Sequence, residues 1–230
     1  MTAADRASEA LIDRRIREVR PDDGMLGEEG AERPGTTGLR WVVDPLDGTV
    51  NYLYRIPQWC VSVACEDADG PLVGVVHDPN RRETFVGSRD AGASVGGAAL
   101  RIGEVADLGG AIVATGFSYE HAVRADQGRS LAGLLGGVRD LRRFGAAALD
   151  LAWVADGRVD GYLEFGLQPW DWAAGRLLIA EAGGTSSFHD VVLGGRSQTG
   201  LVAGNRTVHD GLVGWLGTDW THETEGPPGG

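Results

Sequence analysis

The chain contains no lysine; all 21 of its basic residues are arginines. This excludes a Schiff-base lysine, a PLP anchor, a lysine general base and the phosphate-binding lysine of a P-loop. Positive charge is scarce altogether. Asp and Glu total 33, so the net charge is −12. A uniformly acidic chain repels phosphate backbones, so nucleic acid is not expected as a partner. An anionic substrate needs something other than net protein charge to hold it, and metal ions meet that need. Cysteine is nearly absent. Cys60 and Cys65 lie an odd number of residues apart in a predicted strand, so they face opposite sides and no disulfide is expected. A reducing compartment, the cytoplasm, fits. No apolar run approaches the roughly 18–20 residues of a membrane span. The first ten residues include Asp5, Arg6 and Glu9 and lack the apolar core of a signal peptide.

What is present reads as one catalytic domain over residues 1–230. A chain of 230 residues supports one large domain or two that share a core. Residues 3–19 predict a helix, with Leu11, Ile12, Ile16 and Val19 on one stripe. Thr2 and Asp5 match a capping box, with Asp in place of Glu or Gln. Residues 21–38 read as loop with at most short strands. Strands are predicted at Leu39–Val43, Trp59–Cys65, Leu72–Val76 and Glu83–Gly87, the middle two joined by the turn at 67–70. Residues 1–108 thus form an α+β unit, a helix on an antiparallel sheet. Over 109–217 strands and helices alternate, the mark of an α/β arrangement. The strands are Ala111–Thr115, Val138–Phe144, Val159–Phe165 and Leu201–Ala203. The helices are Gln127–Leu135, Ala146–Ala155, Asp171–Ala182 and Val208–Leu216. Residues 218–230 read as a frayed tail.

Four short segments carry acidic residues: Thr2–Asp5, Gly27-Glu28-Glu29-Gly30, Trp41–Thr49 and Gln168–Trp172. Singly, three of them have bland readings as a cap, a solvated turn and a helix N-cap. The segment at 41–49 is different: an apolar strand delivers Asp44, Pro45 stiffens the turn, and Asp47, Gly48 and Thr49 follow. Together, Glu28, Asp44, Asp47 and Asp171 make a cluster that repels itself unless cations sit in it. All-oxygen ligands select Mg²⁺ first. About two Mg²⁺ ions balance four carboxylates, and a third offsets a bound phosphate monoester. Backbone N–H groups at Gly48 and Thr49, at a helix start, suit a phosphate. This is a two-metal phosphatase in outline.

With those residues in view, the chain resembles the inositol monophosphatase family of Mg²⁺-dependent, lithium-sensitive phosphatases, from Thr2 to about Val213. Asp44-Pro45-Leu46-Asp47-Gly48-Thr49 is similar to its first signature. Trp170-Asp171, with Ala173-Ala174 and Glu181-Ala182-Gly183-Gly184, is similar to its second. The resemblance implies a layered αβαβα sandwich, a homodimer and a small phosphorylated polyol as substrate, inositol 1-phosphate first. It implies that Glu28, Asp44, the Leu46 carbonyl, Asp47 and Asp171 hold two or three Mg²⁺ ions. Thr49 orients the attacking water, and Asp5 positions or activates it. Leu46, Asp47, Gly48, Thr49 and Asp171 surround the phosphate, Gly145 and Ala146 lie near the ring hydroxyls, and Glu164 binds a hydroxyl. Histidinol phosphate and 3′-phosphoadenosine phosphate are alternative substrates, and a catalytically weakened metal-binding homologue is an alternative of another class.

Two departures from the family pattern stand out. Ala146 replaces a Ser or Thr that many members carry. The helices that usually precede the equivalent of Thr2, with a lysine near the site, are not in this sequence. The five histidines (His77, His121, His189, His209 and His222) are scattered without zinc spacing. Arg142 and Arg143 read as solvated strand-end charges, and Trp170 and Trp172 as walls of the metal site.

Overall fold

Val42 and Val43 are neighbours in sequence, both are buried, and they belong to different cores. Val42 packs in a cluster with Ala64, Ala174 and Leu178, and Val43 with Ile16 and Met25. Successive side chains of a strand face opposite sides, so this sheet is covered on both faces. That is why the sequence reads Trp-Val-Val there rather than as an apolar–polar alternation.

The computed structural model describes residues 2–219. In chain order the first half comprises α1 (Ala3–Val19), β1 (Gly24–Gly27), β2 (Glu32–Arg33), β3 (Arg40–Asp47), α2 (Thr49–Leu53), β4 (Cys60–Asp67), β5 (Gly70–Asp78), β6 (Glu83–Ser88), β7 (Gly92–Val95) and β8 (Ala98–Ala99). The second half comprises β9 (Ile112–Thr115), α3 (His121–Leu135), β10 (Asp140–Arg142), α4 (Ala147–Ala155), β11 (Gly161–Phe165), α5 (Pro169–Glu181), β12 (Thr185–Leu193), β13 (Arg196–Gly204) and α6 (Arg206–Asp219).

The first eight strands form one sheet in the order β2-β1-β3-β4-β5-β6-β7-β8, antiparallel except for the β1–β3 pair. The other five form a second sheet, β10-β9-β11-β13-β12. Helix α1 covers the outer face of the first sheet against β3, and α4 and α5 pack together between the sheets. Helices α3 and α6 cover the outer side of the second sheet. This is an αβαβα sandwich. The middle layer is tight: a Cβ on Gly175 of α5 would sit 2.5 Å from the Leu151 Cβ of α4. Among the described residues, no helix is long and apolar enough to cross a membrane.

Several boundaries differ from the sequence reading. Helix α3 begins at His121 rather than at Gln127, and the strand expected over 138–144 shrinks to β10. β12 was not expected: Ser186, Ser187, His189 and Asp190 hide its extended pairing with β13, and it is an edge strand with no apolar alternation to betray it. β7 and β8 were not expected either: they are short strands of four and two residues at the end of the first sheet, with β8 at its edge. Of the predicted tail, residues 218–219 belong to α6, and 220–230 lie outside the described residues.

Candidate active site

The first signature sits where β3 stops being regular. Asp44 pairs with Ser62 and Asp47 with Cys60, so three steps on β3 answer two on β4. That is a bulge across Pro45 and Leu46. In a regular strand, residues three apart face opposite sides. The extra residue reverses that parity and brings both carboxylates to one cleft. The Leu46 N–H donates to Asp44 Oδ1 at 2.9 Å and steadies the turn. Asp47 accepts N–H groups of Ala147 at 3.1 Å and Ala148 at 2.8 Å, at the N-terminus of α4, with the Cys60 thiol 3.5 Å away. Gly48 then takes φ 89°, where a Cβ would press 3.0 Å from the Gln58 carbonyl. The Thr49 hydroxyl lies 3.1 Å from the Leu46 carbonyl oxygen and 3.4 Å from Asp5 Oδ1. Asp5 is buried, and the predicted capping box with Thr2 is present.

Glu28 follows β1 and stands at the open rim, an exposed residue whose carboxylate lines the cleft. Its loop hangs from α1. Glu9, 5% exposed, accepts the N–H groups of Glu29 and Ala31, each at 2.9 Å. Gly27 must lack a side chain there, since its Cβ would lie 2.2 Å from Glu9 Oε2. Glu29 Oε2 is buried without a hydrogen-bond partner.

The second half supplies the opposite wall. Asp171 lies in the first turn of α5, which begins with Pro169, and accepts the Gln168 N–H at 2.6 Å. Glu164 on β11 accepts the Tyr162 hydroxyl at 2.6 Å. Gly116 leaves room for it, because a Cβ there would lie 2.0 Å from that carboxylate. Glu28, Asp44, Asp47, Gly48, Thr49, Gly145, Glu164 and Asp171 all line one cleft of about 390 Å³. Leu46, Asp5 and Ala146 are buried behind its wall, which passes from Gly145 to Ala147.

Acidities in the cleft are displaced together. Burial pushes Asp44 well above the usual carboxylate range, and the charges of Asp47, Glu28 and Asp171 add to it. Burial raises Asp47 to about 6, against hydrogen bonds from Ala148 and Cys60. Burial and the Asp47 charge raise Asp171 to about 8. Burial raises Glu164 to about 7, opposed by Tyr162 and Arg143. Desolvation raises Glu28; a hydrogen bond with Asp44 opposes this and the Asp5 charge reinforces it.

Three residues of this region were missed or misread in the sequence. Arg143 is no solvated strand end. It lines the cleft, whereas Arg142 pairs with Asp140 as expected of a surface charge. Asp150 on α4 is buried with Oδ1 unpartnered, and burial, with the charges of Asp47 and Glu164, pushes its pKa well above the usual carboxylate range. Nothing in its apolar helix Ala-Ala-Leu-Asp-Leu-Ala-Trp points to the cleft, though a lone carboxylate on such a helix is itself a signal. Trp170 lines the cleft, but Trp172 turns away and stacks edge-on against Phe188 at 5.1 Å.

Two sheets with a helix layer between them, and a carboxylate-lined cleft where their halves meet, define a hydrolase fold of the sugar-phosphatase type. The chain belongs to the inositol monophosphatase family, whose pattern matches residues 1–213. Nus factor SuhB of Escherichia coli K12 is 44% identical over 214 residues, 90% of this chain and 79% of that protein. An inositol-1-monophosphatase of Rhizobium meliloti is 43% identical over 219 residues, 92% of this chain and 80% of that one. The solved inositol monophosphatase of Anabaena (Nostoc) sp. PCC 7120 superposes with a TM-score of 0.86 at 36% identity, covering 95% of this chain and 88% of that one.

Proposed function

We propose that this protein hydrolyses a small phosphorylated polyol, inositol 1-phosphate first, with Mg²⁺ held by Glu28, Asp44, the Leu46 carbonyl, Asp47 and Asp171. The observation that carries the reading is the crowding of Asp44, Asp47 and Asp171 in one cleft, each raised by burial and both Asp44 and Asp171 raised further by the charge of Asp47. Such a donor set, all oxygen and unable to ionise fully alone, fits hard divalent cations. Among the described residues no three His, Cys, Asp or Glu side chains are already disposed to hold a metal ion. Bound there, Mg²⁺ supplies positive charge that polarises phosphoryl oxygens and eases the ionisation of water.

The chain's own groups do the rest. Thr49 Oγ orients the attacking water and receives its proton, and Asp5 Oδ1, 3.4 Å away, takes the hydroxyl's own. N–H groups at Gly48 and Thr49 face the phosphate. Helix α2 is only five residues long, so these act as donors with little macrodipole behind them. Glu164, at about 7, accepts or donates to a ring hydroxyl near neutrality. The Gly145 backbone lies beside it, and Arg143 balances its charge. Ala146 offers no hydroxyl to the substrate.

The tie from Asp47 to α4 supports residues 1–108 and 109–217 acting as one catalytic domain. Two buried free cysteines and the −12 charge support a cytoplasmic protein with no nucleic-acid partner, and family membership supports a homodimer and lithium sensitivity. The test is phosphate release from myo-inositol 1-phosphate with Mg²⁺, with and without Li⁺. Mg²⁺-dependent turnover that falls with Li⁺ is expected. A panel including histidinol phosphate and 3′-phosphoadenosine phosphate then ranks substrates, and Mg²⁺ binding without turnover on any of them would instead make the chain a weakened homologue.

A further inference from the structure

Two of the scattered histidines meet in space. His189 on β12 and His209 on α6 each place Nε2 against the same hydroxyl, Ser187 Oγ, at 2.6 and 2.7 Å. Behind His209, Nδ1 lies 2.9 Å from Asp210 Oδ1. A carboxylate only accepts, so His209 carries its proton on Nδ1 and presents Nε2 as a lone pair. The Ser187 hydroxyl donates to that lone pair and accepts from His189.

The geometry points to a second metal site, a two-imidazole clip for a late first-row divalent cation such as Zn²⁺ or Cu²⁺, independent of the phosphatase reading. Imidazole nitrogens suit those ions, whereas Mg²⁺ and Ca²⁺ prefer oxygen. A ligating histidine that hands its other N–H to a carboxylate is the usual outer-shell arrangement, fixing the ring and raising its basicity. Asp210 stands in that place. Both Nε2 atoms lie within hydrogen-bonding reach of one oxygen, so ring rotations, with the His189 proton passing from Nε2 to Nδ1 through solvent, would bring two lone pairs onto one cation, with Ser187 Oγ or water beside it.

The scaffold holds the pair firmly. Asn205 Oδ1 accepts the Val208 N–H at 2.8 Å, and its side-chain amide donates to the Gly103 and Val105 carbonyls at 2.9 Å each. This pins the start of α6, on which His209 is 7% exposed. Side chains on β12 alternate. Ser186 reaches Arg176 of α5, so Ser187 and His189 face the other way, toward α6. The second sheet therefore separates this pair from α5. His189 also lines a groove of about 470 Å³ beside Val213 and Leu216 of α6, which gives a cation access from solvent. Burial and the neighbouring His209 lower the pKa of His189 and so favour the neutral ring, the form a ligand needs.

The test uses the full chain with Mg²⁺ in excess. Cu²⁺ is added and the electron paramagnetic resonance spectrum read for hyperfine splitting from two imidazole nitrogens, a signature carboxylates do not give. Zn²⁺ is then titrated by calorimetry. The expected results are a two-nitrogen Cu²⁺ signal, and one Zn²⁺ equivalent that is lost, or weakened at least tenfold, in His189→Ala and in His209→Gln. Ser187→Ala should keep it. Zn²⁺ should raise the melting temperature of the parent and not of His189→Ala, which alters the less buried ring and leaves α6 packing in place. A Cu²⁺ spectrum without two nitrogens, or a Zn²⁺ stoichiometry and affinity unchanged in His189→Ala, would overturn the site and leave the three side chains as a hydrogen-bonded link between β12 and α6.

Discussion

The carboxylate of Asp47 accepts the backbone N–H of Ala148 at 2.8 Å, across 101 residues of chain. One side chain from the end of the first sheet thereby caps the central helix α4 and faces the cleft at the same time. Removing it takes away an acceptor from two N–H groups that no helical partner satisfies.

Asp47→Ala should lose turnover and also about 1–3 kcal/mol of stability, since the Ala147 and Ala148 N–H groups are left unpaired. Ala147 and Ala148 use different oxygens of Asp47, so Asp47→Asn keeps an acceptor for one of the two N–H groups and should lose less stability than Asp47→Ala while losing turnover. Urea denaturation alongside phosphate release separates the two effects. Equal destabilisation in both variants would show that the charge, rather than the hydrogen bonds, holds α4.

Asp44→Asn should cost several orders of magnitude in turnover with little loss of fold. Asp44 is strained by the charges of Asp47, Glu28 and Asp171, so the neutral isostere relieves repulsion when no cation is present. The Mg²⁺-free variant should therefore melt at or above the temperature of the Mg²⁺-free parent. Near-native activity would sink the carboxylate-cluster reading.

Without divalent cations, stability should fall as pH rises from about 4 to about 8. The native Asp47, Glu164 and Asp171 hold protons up to about 6, 7 and 8, while the unfolded chain has already released them near pH 4. Between those limits the native state binds more protons, so the slope of unfolding free energy against pH is negative. For Asp47 alone the shift is worth about 3 kcal/mol. Denaturation at pH 5 and pH 8 in a chelator, repeated with Mg²⁺, reads this directly. Mg²⁺ should stabilise more at pH 8, and a metal-free protein more stable at pH 8 than at pH 5 would contradict the repulsive cluster.

Glu9→Ala should raise the Mg²⁺ concentration needed for half-maximal rate by about tenfold, with a smaller change in the rate at saturating Mg²⁺. Glu9 touches no part of the cleft. It holds the Glu29 and Ala31 N–H groups and so fixes the loop that aims Glu28; a misplaced ligand weakens metal affinity by about one to two orders of magnitude. Unchanged Mg²⁺ dependence would mean that the loop holds its own shape.

Much of this protein is local and was therefore legible. The α1 stripe, the capping box of Thr2 and Asp5, the Asp44–Thr49 turn and the glycine stop after α5 depend on residues within a few positions of one another. So does the alternation of strand and helix that sets the class of the second half. The signatures also named the carboxylates of the cleft. Other features depend on separation in space. Asp44 and Asp47 share a face only because pairing with β4 forces a bulge at Pro45 and Leu46. Arg143 enters the cleft because β10 ends one residue before it, and β12 exists because β13 offers it an edge. His189 and His209 meet only when α6 folds back over β12. Sequence patterns report periodicity and capping over a turn or two of chain, whereas register, bulges and contacts across layers are decided when distant surfaces are buried against each other.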